Sequence, residues 1–395
     1  MFELSPQDQQ ALTAFLQDLV RIPSFSCQEK VVAERLEAEM RTVGFDEVWT
    51  DRIGNVVGRI GSGTGPRLLY NGHMDTVGIG DRVAWTHDPF GAEIDGGRLY
   101  GRGATDMKGP LASLVYGAKA LKHSGVDLAG DLYVVGVVQE EPCEGHAMRV
   151  LVEEEGLRPD WVVLAEPTNL RVSRGHRGRM EMHVTVRGRS AHASMPHLGE
   201  NAIYGAARII FSLELLADML ANDPFLGKGT LAVTRIENTA ASKNVIPDSC
   251  TVVIDRRLTL GETEAKALAE VEGVIVRENV RAEVSLAEFD YASYTGYRCR
   301  DVEHYPAWVV PENHILVQAT ARAVRAVTGE RPPIGKWDFS TDGVYTMGVA
   351  GIPTVGMGPG DETQAHIADE CVRLADCYTA AQIYAQLAVE LLGKV

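Results

Sequence analysis

The chain has 395 residues, 45% hydrophobic and 23% charged, which excludes a disordered tail and gives room for two or three domains. Its 54 Asp and Glu outnumber 38 Lys and Arg, and a formal charge of −16 argues against a nucleic-acid backbone as partner. Six scattered cysteines without a CxxC pair, no leader-like start and no stretch near the roughly 18 uncharged residues of a membrane span point to a reduced, cytoplasmic protein.

Ser5-Pro6 with Asp8 reads as a helix start, and Leu12, Phe15, Leu16 and Leu19 follow at helical spacing. A second helical pattern (Val32, Leu36, Met40) stops near Gly44. Residues 67–70, 132–138 and 161–165 read as buried strands, with helices over 110–124 and 146–155 between them. That alternation predicts an α/β sheet covered by helices. From about Arg179 the pattern changes to strand 180–187, helix 201–220, strands 230–236 and 251–257, helix 263–271 and strand 283–289. The β-α-β-β-α-β order predicts an inserted α+β domain of ferredoxin-like topology, with boundaries at 178–291. The α/β pattern resumes with helix 314–328, strand 352–357 and a terminal helix over 370–392, so residues 1–177 and 292–395 form one discontinuous domain.

The chemistry sits where polar residues interrupt this plan. Strand 67–70 runs into His73 and Asp75, strand 132–138 into Glu140 and Glu141, and strand 161–165 into Glu166. Ligands of open α/β sheets bind beyond the carboxyl ends of strands, so three strands deliver these groups to one rim. A glycine-rich turn, 100–109, carries Asp106 ahead of a helix, and His366 follows another turn after a buried strand. Two histidines among carboxylates, with no cysteine in these blocks, suit Zn²⁺, with Mn²⁺ or Co²⁺ as alternatives. If Asp106 bridges two ions, one also has His73 and Glu166 and the other has Glu141 and His366. Such a pair lowers the pKa of a bound water to roughly 7. Glu140 is then the spare carboxylate, free to act as general base, and Asp75 is placed to accept the second ring N–H of His73.

The segments 72–77, 101–109, Glu140-Glu141 and 165–168 resemble the signature blocks of the acetylornithine deacetylase / succinyl-diaminopimelate desuccinylase / carboxypeptidase G2 family of zinc peptidases. The resemblance runs in order over nearly the whole chain. It implies a catalytic α/β domain, an inserted lid that dimerises, hydrolysis of an amide bond and the metal roles above. Residues 190–196 resemble the family segment whose histidine reaches a neighbouring subunit's site and steadies the tetrahedral oxyanion, a role carried to His192. Segments 244–247 and 255–257 resemble those that hold a substrate carboxylate, which makes Asn244 and Arg257 substrate-binding candidates. The runs 178–181, 225–231 and 338–344 look most like the selenium-metabolism-linked hydrolase branch.

The expected function is a dinuclear metal hydrolase of a small substrate with a free carboxylate, an N-acyl amino acid or a dipeptide, working as a homodimer through the lid. Two other readings compete. The carbamoyl- and ureido-acid amidohydrolases share the fold but usually lack the Asp-Met-Lys-Gly block present here at 106–109. A decayed member serving as a binding or scaffold protein would have lost the base or a ligand, and none is lost.

Overall fold

The computed structural model describes residues 2–394. Helix α1 (Pro6–Arg21) is capped by the Ser5 hydroxyl, which accepts from Asp8 N, and α2 (Lys30–Val43) ends on left-handed Gly44. The strands of the larger sheet are β1 (Glu47–Thr50), β2 (Val56–Ile60), β3 (Arg67–His73), β4 (Asp131–Val137), β5 (Trp161–Leu164) and β6 (Val172–His176). The lid follows as β7 (Gly178–Arg187), α3 (Ala202–Asp218), β8 (Thr230–Asn238), β9 (Ser249–Leu258), α4 (Glu264–Arg277) and β10 (Ala282–Leu286). The larger unit is completed by α5 (Ile315–Thr328), β11 (Ile334–Trp337), β12 (Thr354–Gly356) and α6 (Leu374–Leu392).

The larger sheet runs β1-β2-β4-β3-β5-β12-β6, and β11 also pairs with β6. At its centre β4, β3, β5 and β12 are parallel, with His73 opposite Val137 and Asn71 opposite Leu164. Every residue of β4 is buried, as expected for a strand covered on both faces. The register aligns the carboxyl ends of three neighbours, and this places the site. The lid sheet runs β8-β9-β7-β10, antiparallel throughout, and packs Met182, Val184, Val252 and Ile254 against Ile209, Leu213, Val271 and Val274. This is the ferredoxin-like arrangement expected from the order of elements. Among the described residues no helix is long and apolar enough to cross a membrane.

Three local readings change. The helix expected over 146–155 is α-helical only at His146–Arg149 and continues as a π-turn over Val150–Glu154. The strand expected over 283–289 keeps its pairing with β7 only as far as Ala287, whose N–H donates in register to Glu181 O, and from Glu288 the chain leaves as a hairpin of Glu288–Ala292 with Arg298–Val302. The terminal helix starts at Leu374 instead of Glu370, because Cys371–Arg373 pair as a strand with Arg98–Tyr100 and Glu370 turns inward.

Candidate metal centre

His73 is the last residue of β3, while Glu140, Glu141 and Glu166 follow the ends of β4 and β5. Asp106 comes from the π-turn Ala104–Lys108, entered through left-handed Gly103 and continuing into helix Gly109–His123. His366 comes from the loop after β12, with its own backbone left-handed at φ 64°. Gly358 lets that segment approach: a Cβ there would sit 2.0 Å from Ala165 O and 2.5 Å from Glu166 O.

These residues gather as two trios sharing Asp106. His73, Asp106 and Glu166 form one, Asp106, Glu141 and His366 the other, and within each the ligand atoms lie within 4.8 Å of one another. His73 Nε2 is 2.9 Å from Asp106 Oδ1 and 3.8 Å from Glu166 Oε1, while His366 Nε2 is 3.1 Å from both Asp106 Oδ2 and Glu141 Oε2. The residues fit divalent cations on their charge as well as their geometry. Burial, together with the nearby Glu166 charge, raises the Glu140 pKa well above the carboxylate range, and burial and Asp106 do the same to Glu166. Asp106 and Glu141 hold the His366 imidazole up at about 10, and His73 is raised against its own burial by Asp106 and Glu166. Acids crowded this tightly in low dielectric call for cations.

The Asp75 expectation is corrected in its atoms. His73 Nδ1 donates to the main-chain carbonyl of Asp75 at 2.8 Å, and the carboxylate Oδ1 stands 3.7 Å away. A spacing of two residues brings the carbonyl to the ring and turns the side chain toward the next strand end. There Oδ1 accepts from Glu140 N at 3.1 Å, and Oδ2 accepts from Glu141 N at 3.3 Å and Ser26 Oγ at 2.7 Å. The tautomer of His73 is fixed all the same, leaving Nε2 as the ligand atom.

A cavity of about 380 Å³ opens over the trios, lined by Glu140, Arg179, Arg257, Phe339 and Ser340 besides ligand residues. Arg257 lines it as expected, but its guanidinium is held by Asp255 through bonds of 2.8 and 3.1 Å. His192 and Asn244 come together with each other instead of with this cavity. They sit on the paired strands Ala191–His192 and Val245–Ile246 or next to them, both exposed, with the Asn244 amide 3.4 Å from His192 Nε2.

Several supports were missed in the sequence. Gln139 donates from Nε2 to Cys27 Sγ at 2.9 Å and accepts from Cys299 Sγ at 3.0 Å, which pins the residue before Glu140. Buried Asp342 accepts from Asn71 Nδ2 and Gly145 N, both at 2.7 Å. Glu370 accepts from the turn that carries Asp106. The signal available was an acid in an unsolvated run, and Asp342 and Glu370 read equally well as turn or helix caps.

The pattern of peptidase family M20/M25/M40 matches residues 69–390. An uncharacterized protein, YgeY, of Escherichia coli K12 is 44% identical over 390 residues, covering 98% of this chain and 96% of that protein. A succinyl-diaminopimelate desuccinylase of Marinobacter nauticus is 28% identical over 386 residues, covering 95% and 97%. The crystal structure of Bacillus subtilis YXEP protein, a dinuclear metal-binding peptidase, superposes with a TM-score of 0.72 at 18% identity, covering 98% of this chain and 99% of that one.

Proposed function

The chain belongs to peptidase family M20/M25/M40, and from that premise we propose that it hydrolyses the amide bond of a small substrate carrying a free carboxylate, an N-acyl amino acid or a dipeptide. The protein is a hydrolase of the metallopeptidase type. The observation that carries the reading is the pair of trios sharing Asp106 with Glu140 beside them and outside both. In this reading His73, Asp106 and Glu166 hold one ion and Asp106, Glu141 and His366 the other. Zinc is the ion proposed, with cobalt or manganese able to take the same donors. When bound, the ions supply Lewis acidity toward the scissile carbonyl and make a water acidic enough to attack near neutral pH.

The chain's own groups supply the rest. Glu140 takes a proton from the attacking water and passes it to the leaving nitrogen, from a place beside both trios and outside them. Asp75 holds the main-chain N–H groups of Glu140 and Glu141, so base and ligand stay in fixed register. Arg257 receives the substrate carboxylate, with Asp255 keeping the guanidinium oriented.

The proposed lid is residues 178–291, and it pairs with a second copy. His192 then reaches the partner's cavity, its Nδ1 turned to Ser194, whose N–H donates to it at 3.1 Å, and its Nε2 edge turned outward toward a developing oxyanion. Asn244 stands beside it as a second polar contact for substrate.

The test is a metal-reconstituted preparation assayed against acetyl, succinyl and carbamoyl amino acids and dipeptides. Turnover of an N-acyl amino acid or dipeptide that disappears on chelation and returns with Zn²⁺ is expected. Turnover of carbamoyl substrates alone would move the protein to the ureido-acid class, and no turnover of any would remove the hydrolytic reading.

A further inference from the structure

Glu370 is fully buried and belongs to neither trio, yet it touches the segments that bear ligands of one of them. Its Oε1 accepts from Thr105 N at 2.9 Å and Asp106 N at 3.0 Å, and its Oε2 accepts from Gly103 N at 3.1 Å and Arg102 Nη1 at 2.6 Å. The turn presenting Asp106 is thus wrapped around a carboxylate that lies four residues after His366. Arg102, itself 2% exposed, also donates from Nη2 to Ile367 O at 3.2 Å, next to His366. Main-chain bonds tighten the same seam: Gly101 N donates to Glu370 O at 2.9 Å and Thr105 Oγ1 to Cys371 O at 2.6 Å.

We infer that Glu370, clamped to Arg102, is a positioning residue that sets the distance between Asp106 and His366, and thereby governs the affinity of the Asp106–Glu141–His366 position more than that of the His73–Asp106–Glu166 position. This rests on the dinuclear reading above. The asymmetry follows from where the other ligands stand. His73 ends a central strand and Glu166 follows its neighbour, so the sheet ladder fixes them, with the His73 ring held by Asp75 O. His366 is half-exposed on irregular chain in a left-handed conformation, and the Arg102–Ile367 and Glu370 contacts are what anchor its loop to the turn of Asp106. Charge-assisted bonds inside a buried seam hold such a geometry firmly.

Glu370→Gln keeps the shape but offers an NH₂ to donors that need an acceptor, so the seam cannot be satisfied in full. The experiment titrates metal-free wild type and Glu370→Gln with Co²⁺ by calorimetry and visible absorption, alongside thermal melts of both apo chains. The expected result is two ions in each, with one dissociation constant in the variant unchanged and the other weakened by about 10–100-fold. A merely structural role would lower the melting temperature without splitting the two constants. Two unchanged constants, or equal weakening of both, would overturn the inference while leaving two ions in the wild type and the dinuclear reading intact. A wild type that takes up no second ion would overturn both. Should Glu370→Gln fail to fold, Arg102→Lys keeps a cation on Glu370 while losing the fork to Ile367 O; the same split is expected there, and its absence counts against the inference equally.

Discussion

The Asn244 amide lies 3.4 Å from Nε2 of His192, and this exposed pair stands on the lid apart from the lining of its own chain's cavity. In the proposed pairing of lids, the site these two residues serve is that of the second copy. A His192→Ala chain mixed with a Glu140→Ala chain, each inactive alone, should regain activity as subunits exchange, because one of the two sites in the heterodimer is then intact. If mass analysis confirms exchange and no activity returns, His192 does not act across an interface.

Glu140 and Glu141 should separate cleanly. Glu140→Ala is expected to keep two ions and lose several orders of magnitude in kcat, since nothing then receives the water proton. Glu141→Ala should lose an ion, as Glu141 lies 3.1 Å from His366 Nε2 within a trio. Metal analysis and kinetics on both variants decide; metal loss from Glu140→Ala would mean the two have been exchanged.

Gln139 bridges two thiols from distant parts of the chain, Cys27 and Cys299, and its backbone is left-handed at φ 55°. Gln139→Ala removes both side-chain anchors while leaving every ligand in place. A fall of about 10–100-fold in kcat or metal affinity is expected, as for other groups that orient ligands. Unchanged values for both would show that the main-chain bonds suffice, Gln139 N to Glu29 Oε1 at 3.1 Å and those of Glu140 and Glu141 to Asp75.

On α3 of the lid, Tyr204, Phe211 and Leu215 are 69%, 69% and 65% exposed, and Ile236 on the edge strand β8 is 53% exposed. Large apolar side chains beside a free strand edge suit the pairing of lids proposed above. Phe211→Glu with Leu215→Arg should leave a monomer in light scattering that binds two ions but turns over poorly. A double variant that remains dimeric would place the contact elsewhere.

Most of this site was legible because parallel strands force their carboxyl ends to one rim: once residues 67–70, 132–138 and 161–165 read as buried neighbours, His73, Glu141 and Glu166 had to meet. A glycine-rich turn before a helix brought Asp106 to the same rim, but its sharing between two ions was only a condition in the spacing and came with the family resemblance; the structure has it in both trios. What escaped was main-chain chemistry. Nothing in the spacing of His73 and Asp75 tells whether a carbonyl or a carboxylate meets the ring, and Glu370 looked like a helix-start acid because its true partners are N–H groups 264–267 residues away in sequence. The end of the last lid strand did leave a mark, since the apolar alternation slips by one residue, from Val284 and Leu286 to Phe289 and Tyr291, where the chain exchanges β7 for its own hairpin.

The chain enters the lid along β7 and, after the hairpin, returns to the same strand, where His304 pairs with Met180 and Tyr305 with Arg179. Entry and exit therefore lie side by side on β7, whose other edge carries Arg256 and Arg257 of β9 at the same two residues. Moving the exit segment alone would break main-chain bonds to the strand by which the chain came in, so the two crossings are tied to move as one.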